Sequence, residues 1–512
     1  MKVYFIIIPF LLIVSRVLSA DIVPSGTADD ANTIQTSLDG LHEGDTLRLN
    51  GDFVIGRTIY MPSNFTWILN GSLTLSGNAE LEKVGWVEPG VDARRRTGIT
   101  EKTGGATNID MSGGAYHGNS ANYPYSMRFI NYVSVTNSRF HDMHITDATD
   151  DNFTLGPGSN HNECRNLIGS FAGGNALTDK GDHNKWYDCI AEDCASDGWT
   201  PKCRNSEFHR CIARRNAAPG FGCFARLDGS NPDQGEIITG NKFYACESYD
   251  NGRGGFSFNI AGTSGPGSII RDNYIQAVCY NNKMQGVTFR NKQADGIIEN
   301  NEVDILVYGN QGLTNDGTLS DYAGGLGTDG SPINSITGSV VGYDNGGYDV
   351  NIRTATNCTL TVYNPDDRSP AVMDKGDNTN IINEISFTCS QTLDKWCMQV
   401  YCNQKAVHIP SAESQTLFSL SQNYPNPFNF ETIISYNLIK DSHISLSIYN
   451  IYGKKISTLA ANEYHSSGTH YVVWNAANDK GLSVPNGVYI CVLDVVNNDG
   501  VFIKSHKMNF IK

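Results

Sequence analysis

Between residues 162 and 224 short apolar runs recur among Asn and Gly at a fixed interval of 22. Aligning 162–180, 184–202 and 206–224 puts Cys164, Trp186 and Phe208 in one column. Leu167, Cys189 and Cys211 share the next, and Gly169, Ala191 and Ala213 the one after. Ala176, Gly198 and Gly220, followed by Leu177, Trp199 and Phe221, close the unit. A fixed period of this length means stacked units. The apolar runs are too short for a helical stripe, so each unit predicts one coil of a right-handed, single-stranded parallel β-helix. Paired strands lie about 4.8 Å apart, so each side chain should rest on its counterpart 22 positions away.

The pattern outside this section is looser. Residues 34–41 predict a short amphipathic helix that would cap the first coil and cover its open strand edge. Alternating strands begin at 46–50, and 76–105 is irregular. Coils resume at 108–118 and 131–155, with Phe140 in the core column. Beyond 227 they continue through Phe243, Cys246 and Phe256, then Tyr274 and Val287, then 297–309, and weakly to about residue 385. Longer intervals mean inserted loops, such as 228–239, and loops on one edge of a solenoid often build its cleft. From 418 the alternation changes to short strands at 432–437 and 443–449 with turns at 478–481 and 485–487, the pattern of a small β-sandwich. The expected fold class is all-β. The expected domains are a signal peptide at 1–20, a β-helix at 21–385, a linker at 386–416 and a sandwich at 417–512.

Lys2, the apolar run 3–14 and the small residues Leu18-Ser19-Ala20 read as the signal peptide, and no other stretch has membrane length. The mature protein is expected to be exported, with no transmembrane segment, and monomeric. A formal net charge of −15 argues against nucleic acid, whose binding needs a basic face. Thirteen Cys are present. Those on repeat columns (Cys164, Cys189, Cys211 and Cys246) read as small inward apolar residues. A disulfide is expected among Cys389, Cys397 and Cys402.

The column map sorts the charges. Arg210 falls on Asp188, Arg214 on Glu192 and Arg215 on Asp193, as cross-coil ion pairs. Lys180 and Lys202 share another column, as do Asp182, Arg204 and Arg226, and Asp197 lies nearby. Both columns follow the Leu177/Trp199/Phe221 position, where side chains can turn outward. Carboxylates beside cations on one face suit β-elimination of a uronate polymer, which needs the substrate carboxylate neutralised and a base for the α-proton. Lys is readily tuned for that task by burial. Asp147, Asp150 and Asp151 offer a hydrolase-type carboxylate pair instead. His183 and His209 read as surface or turn residues. The run Asp92-Ala93-Arg94-Arg95-Arg96 is either a solvated loop or one that touches substrate.

Three segments carry a resemblance to the ninth polysaccharide lyase family, over residues 110–300. Gly181-Asp182-His183-Asn184 precedes a core aromatic. Ser196-Asp197-Gly198-Trp199-Thr200 resembles the family's calcium motif, and 220–229 the segment holding its catalytic Lys. The resemblance implies a secreted lyase acting on a pectin-like acidic polysaccharide, with calcium at Asp182 and Asp197. Two other calcium carboxylates are replaced by Ser196 and Thr200, and the Lys position holds Gly222, or Arg226 if the alignment shifts. The expected base is therefore Arg226 or Lys202, with Arg204, Lys180 and Trp199 as substrate-binding residues. A glycoside hydrolase and a non-catalytic carbohydrate-binding surface β-helix remain open. A second resemblance covers the last domain. The 423–429 motif Asn-Tyr-Pro-Asn-Pro-Phe-Asn, the segment 448–454 and Asn486-Gly487-Val488-Tyr489 are similar to the sorting domain of type IX secretion cargo. That implies passage through the periplasm and outer membrane by the type IX machinery, with release or attachment at the cell surface.

Overall fold

The computed structural model describes residues 19–511, except 27–28, 85–86, 89–90, 93–94, 226–235, 262–266, 314–317, 319–323, 366–371, 376–378, 388–394, 408–417, 421–422, 424–425, 427, 439, 451–454 and 498–499. The chain divides into two compact units, 1–401 and 402–512. Among the described residues no helix is long and apolar enough to cross a membrane.

The first unit is the parallel β-helix. Its strands stack in the columns that the repeat prescribes. Cys164 pairs with Trp186 and Trp186 with Phe208. Leu177 pairs with Trp199 and Trp199 with Phe221. Asp182 bridges to Arg204. In each coil two short strands, such as Glu163–Arg165 and Ile168–Ser170, belong to a large sheet. A third, such as Leu177–Asp179, belongs to a smaller sheet. The interval is 22 only where no loop intervenes. Glu163↔Lys185 and Lys185↔Glu207 keep it, Glu207↔Lys242 does not, and Thr337↔Thr359 and Thr359↔Ile381 restore it. The last coil strand is Ile381–Phe387.

Asn is abundant because it builds the corners. The buried Asn184 accepts from the backbone N–H of Asn162 on the coil below, and Asn241 does the same for Ser206. Asn273 and Asn301 continue that ladder. A second ladder runs Asn216, Asn251, Asn282, Asn310. Each rung satisfies a backbone donor that the turn would otherwise bury unpaired. The residue before each rung is left-handed, as at His183 (φ 56°), Asp250 (φ 54°) and Asp272 (φ 55°). Ile275, not Tyr274, continues the core column from Phe243, because it follows the rung Asn273 by two as Phe243 follows Asn241.

Between the sheets the core is a stack of aromatic rings. Phe208 lies on Phe243 at 4.7 Å and Phe221 on Phe256 at 4.2 Å between centroids. Cys164, Cys189, Cys211 and Cys246 are buried free thiols. The capping helix spans Ala31–Asp39 and buries Ala31, Ile34 and Leu38 in the same core. The junction holds a helix that the pattern does not announce, Trp396–Val407. The backbone N–H of Cys397 donates to Asp304 at 3.3 Å, and Tyr401 meets Tyr343 edge-on. Cys397 is a free thiol, Cys402 is disulfide-bonded, and Cys389 lies outside the described residues.

The second unit is a β-sandwich. A three-stranded antiparallel sheet orders Phe418–Leu420, Thr432–Leu438 and Gly468–Trp474. A four-stranded one orders Lys455–His465, Ser442–Asn450, Gly487–Asn497 and Gly500–Phe510. Trp474, Phe428, Leu446, Leu493 and Phe510 meet in its core. Residues 1–18, most of the segment expected to be a signal peptide (1–20), lie outside the described residues.

Candidate functional site

The smaller sheet carries a polar cleft of about 200 Å³ on its outer face. Strand alternation sets its layout. Along Phe153–Leu155, Leu177–Asp179 and Trp199–Pro201 the residues Phe153, Leu177 and Trp199 point inward and are fully buried. The residues between them, Thr154, Thr178 and Thr200, stack on the opposite face, and the last two line the cleft. Just before these strands stand Asp150, Asp151, Asn175 and Asp197, and just after them Lys180 and Lys202. Carboxylates and ammonium groups thus line opposite ends of the strands, with Thr side chains between them. Arg95 and Arg128 complete the lining from lower coils, and Phe224 from the coil above Lys202.

The charges interlock. Arg95 contacts Asp150 at 3.1 Å, while the buried Arg128 reaches Asp150 at 3.5 Å and Asp151 at 3.3 Å. Asp151 also accepts from the Asn175 backbone N–H at 2.9 Å and the Thr178 hydroxyl at 3.2 Å. Lys202 is held by Glu236 at 3.0 Å, with only 11% of its side chain exposed. Crowding and burial shift two groups in opposite directions. Burial, then the charge of Asp151, pushes the Asp150 carboxyl up, against the pull of Arg128 and Arg95. Burial, then the charges of Lys202 and Arg128, brings the Lys180 ammonium down to about 7. The Thr200 hydroxyl is buried with no hydrogen-bond partner among the described residues. A Cβ on Gly222 would strike the Asp197 carboxylate and the Phe224 ring, so glycine makes room for that carboxylate.

No family model matches this chain, and no curated protein matches it. Solved structures resemble it distantly. The A-module of a mannuronan C-5 epimerase from Azotobacter vinelandii is 14% identical, with 72% of this chain and 95% of that one covered and a TM-score of 0.45. A family 28 exopolygalacturonase of Yersinia enterocolitica is 12% identical, covering 71% of this chain and 76% of that one, with a TM-score of 0.38. A tailspike protein 2 from a phage of Escherichia coli O157:H7 is 11% identical, covering 95% of this chain and 68% of that one, with a TM-score of 0.42.

Lys180, Lys202, Asp197, Ser196 and Thr200, all singled out from the sequence, meet in the cleft. Asp150 and Asp151, read there as a hydrolase pair, join them. Trp199 does not bind substrate: its indole is 0% exposed and donates to the Ile212 carbonyl at 3.1 Å. It shares the inward column of Leu177 and Phe221, and that column is core. Asp182 and Arg204 stand on the corner beyond Lys180 and Lys202, bridged to each other. Arg204 donates to the Ile237 carbonyl there. The Asp182 carboxylate is engaged by Asn205 at 3.1 Å and His183 at 3.0 Å. Asp182 and Asp197 therefore do not converge on one calcium ion. Asp197 shares its end of the cleft with Asp150 and Asp151, whose oxygens are already engaged by Arg95 and Arg128 rather than turned toward a hard dication that wants oxygen ligands. Among the described residues no three His, Cys, Asp or Glu side chains are grouped to hold a metal. Arg226 lies outside the described residues. His183 stacks on His161 at a corner, and His209 between Tyr187 and Tyr244 on the outer face of the large sheet. Arg128 has no signal in the repeat, because it precedes the strict section. Arg95 does have one, as part of the arginine run.

Proposed function

We propose that this cleft binds a uronate-containing polysaccharide and cleaves it by β-elimination, with Lys180 as the base. One observation carries the reading: a lysine whose ammonium is brought down to about 7 stands beside cations fixed by their own carboxylate partners. A uronate carboxylate laid against Arg128 and Lys202 would be neutralised, which acidifies the neighbouring C5–H. The neutral Lys180 amine takes that proton. The C4=C5 double bond forms as the bond to the leaving oxygen breaks, and that oxygen takes a proton from water. Lys180 then returns its proton to solvent. Lys202, already ion-paired with Glu236 at 3.0 Å, suits carboxylate binding better than proton abstraction. Calcium enters no step here, since the side chains that would hold it stand apart. Arg226 is the other base this chain offers.

A hydrolase is the second reading, favoured by Asp150, whose raised carboxyl suits a general acid, with Asp197 at the same end of the cleft as a second carboxylate. One incubation separates the two. Pectic, alginate and rhamnogalacturonan polymers are followed for ultraviolet absorbance of unsaturated uronates and for reducing ends, with and without chelator. Absorbance that Lys180→Met abolishes and chelator spares supports the lyase. Reducing ends without absorbance overturn it in favour of the hydrolase, and binding with neither product leaves a carbohydrate-binding β-helix. Loss of absorbance in Arg226→Ala but not in Lys180→Met moves the base to Arg226.

The same reading places the protein outside the cell. Residues 1–20 would act as export signal, and the sandwich as the element recognised by type IX machinery, leading to release or surface attachment. Deleting 417–512 should then retain the protein in the periplasm; undiminished export would contradict that role.

A further inference from the structure

Beyond the carboxylate end of the cleft the coil turns a corner, and four successive coils place Phe171, Asp193, Arg215 and Asp250 there. All four backbones are left-handed, with φ of 52°, 57°, 55° and 54°. For Asp this conformation is common, because its side chain bonds locally; for a bulky aromatic it is an outlier that needs a reason. Phe171 is the only Phe, Tyr or Trp with positive φ among the described residues. It is also 60% exposed, so no core contact explains it. It lines an open groove of about 700 Å³ together with Arg215, Asn216 and Ser120.

This groove abuts the cleft. Residues 171–175 run from one to the other, with Phe171 lining the groove and Asn175 the cleft. Between them the chain hugs the carboxylates: the Gly173 and Gly174 N–H groups bond to the carbonyls of Ala148 and Asp150 at 2.8 and 2.9 Å. A Cβ on Gly174 would meet the side chains of both Asp150 and Asp151. Four residue steps span at most about 14 Å, the length of a few sugar rings. Strain of this kind gathers at ligand sites.

We infer that Phe171 is a stacking platform for a pyranose ring of the same polysaccharide chain, where it leaves the cleft over the carboxylates and enters the groove beside Arg215. The inference rests on the carbohydrate reading of the cleft, but not on which bond is broken there. The ring's flat C–H face covers the phenyl ring, and the groove's polar groups meet its hydroxyls. Phe171 acts as a binding residue and touches no reacting atom.

Affinity electrophoresis of the full chain through gels containing polygalacturonate, alginate or rhamnogalacturonan tests this, with thermal unfolding measured in parallel. Phe171→Asn should weaken retention by roughly tenfold, the scale of one lost aromatic contact. It should also raise the unfolding midpoint, because Asn tolerates the corner conformation. Phe171→Trp should keep retention near the original. Retention unchanged in Phe171→Asn overturns the platform even if the chain cleaves polymer. An equal loss in Phe171→Trp and Phe171→Asn also overturns it, since aromatic area would then not matter. If the unaltered chain is retained by none of the three polymers, the carbohydrate reading itself falls and the platform with it.

Discussion

The β-helix uses the same charged residues on its two faces to different ends. Along the large sheet and its bordering corners, Arg210 rests on Asp188 at 2.6 Å, Arg214 on Glu192 at 2.6 Å and Arg215 on Asp193 at 2.6 Å, one coil apart. These pairs are partly exposed, each Arg is held firmly charged, and each pair contributes about 0–1 kcal/mol. On the smaller sheet, Arg95, Arg128, Lys180 and Lys202 crowd against Asp150, Asp151 and Asp197, with several of these side chains buried. There a lysine falls and a carboxyl rises. Opposite charges in a column are a structural device; unlike charges crowded out of water around a polar floor are a chemical one.

Substitutions should split along that line. Lys180→Met should lower kcat by between about a hundredfold and ten-thousandfold, the usual worth of a positioned base, with little change in thermal midpoint. Arg128→Ala should cost roughly a hundredfold or more in kcat/KM, as a lost electrostatic donor does, and should remove more stability because Asp151 stays behind in a buried place. Gly222→Ala should displace the Asp197 carboxylate; a lyase with Lys180 as base keeps most of its turnover, whereas a hydrolase that uses Asp197 loses about a hundredfold. Asn184→Ala acts on the corner ladder and not on the lining of the cleft. It should reduce stability by about 1–3 kcal/mol, because the Asn162 N–H and the Asp179 carboxylate lose a buried partner. Arg210→Ala should change neither activity nor, beyond about 1 kcal/mol, stability. A fall in polymer cleavage in Arg210→Ala equal to that in Arg128→Ala would erase the contrast between the faces.

pH sharpens the contrast. Lys180 acts when neutral, so kcat/KM should rise with pH through about 7 and level off above it. A hydrolase relying on protonated Asp150 shows the opposite sign, losing rate as pH rises through the elevated Asp150 value. Measuring initial rates between pH 5 and 9 at constant ionic strength distinguishes the two limbs.

The columns were legible because the strict section repeats without insertion, so Trp186 over Phe208 and Arg210 over Asp188 follow from counting alone. The pairing of Lys180 with Lys202 was legible for the same reason, but their roles were not. Glu236, the ion-pair partner of Lys202, lies beyond an inserted loop where counting by 22 fails. Trp199 shows what the column alone could have told: a site shared with Leu177 and Phe221 faces inward. Arg128 was invisible because the lower coils have no fixed interval, as Asp110↔Arg139 and Arg139↔Glu163 differ in length. The left-handed backbone of Phe171 is a matter of three-dimensional turn geometry, and nothing in its neighbours Ser170 and Ala172 announces it.

The central claim is that the cleft tunes one lysine. It is tested most directly by titrating the ε-methylene carbon-13 resonances of labelled full-length protein, with Lys180→Gln to assign the signal. The account predicts a Lys180 midpoint near 7. A Lys180 midpoint near 10.4, the ordinary lysine value, would contradict it.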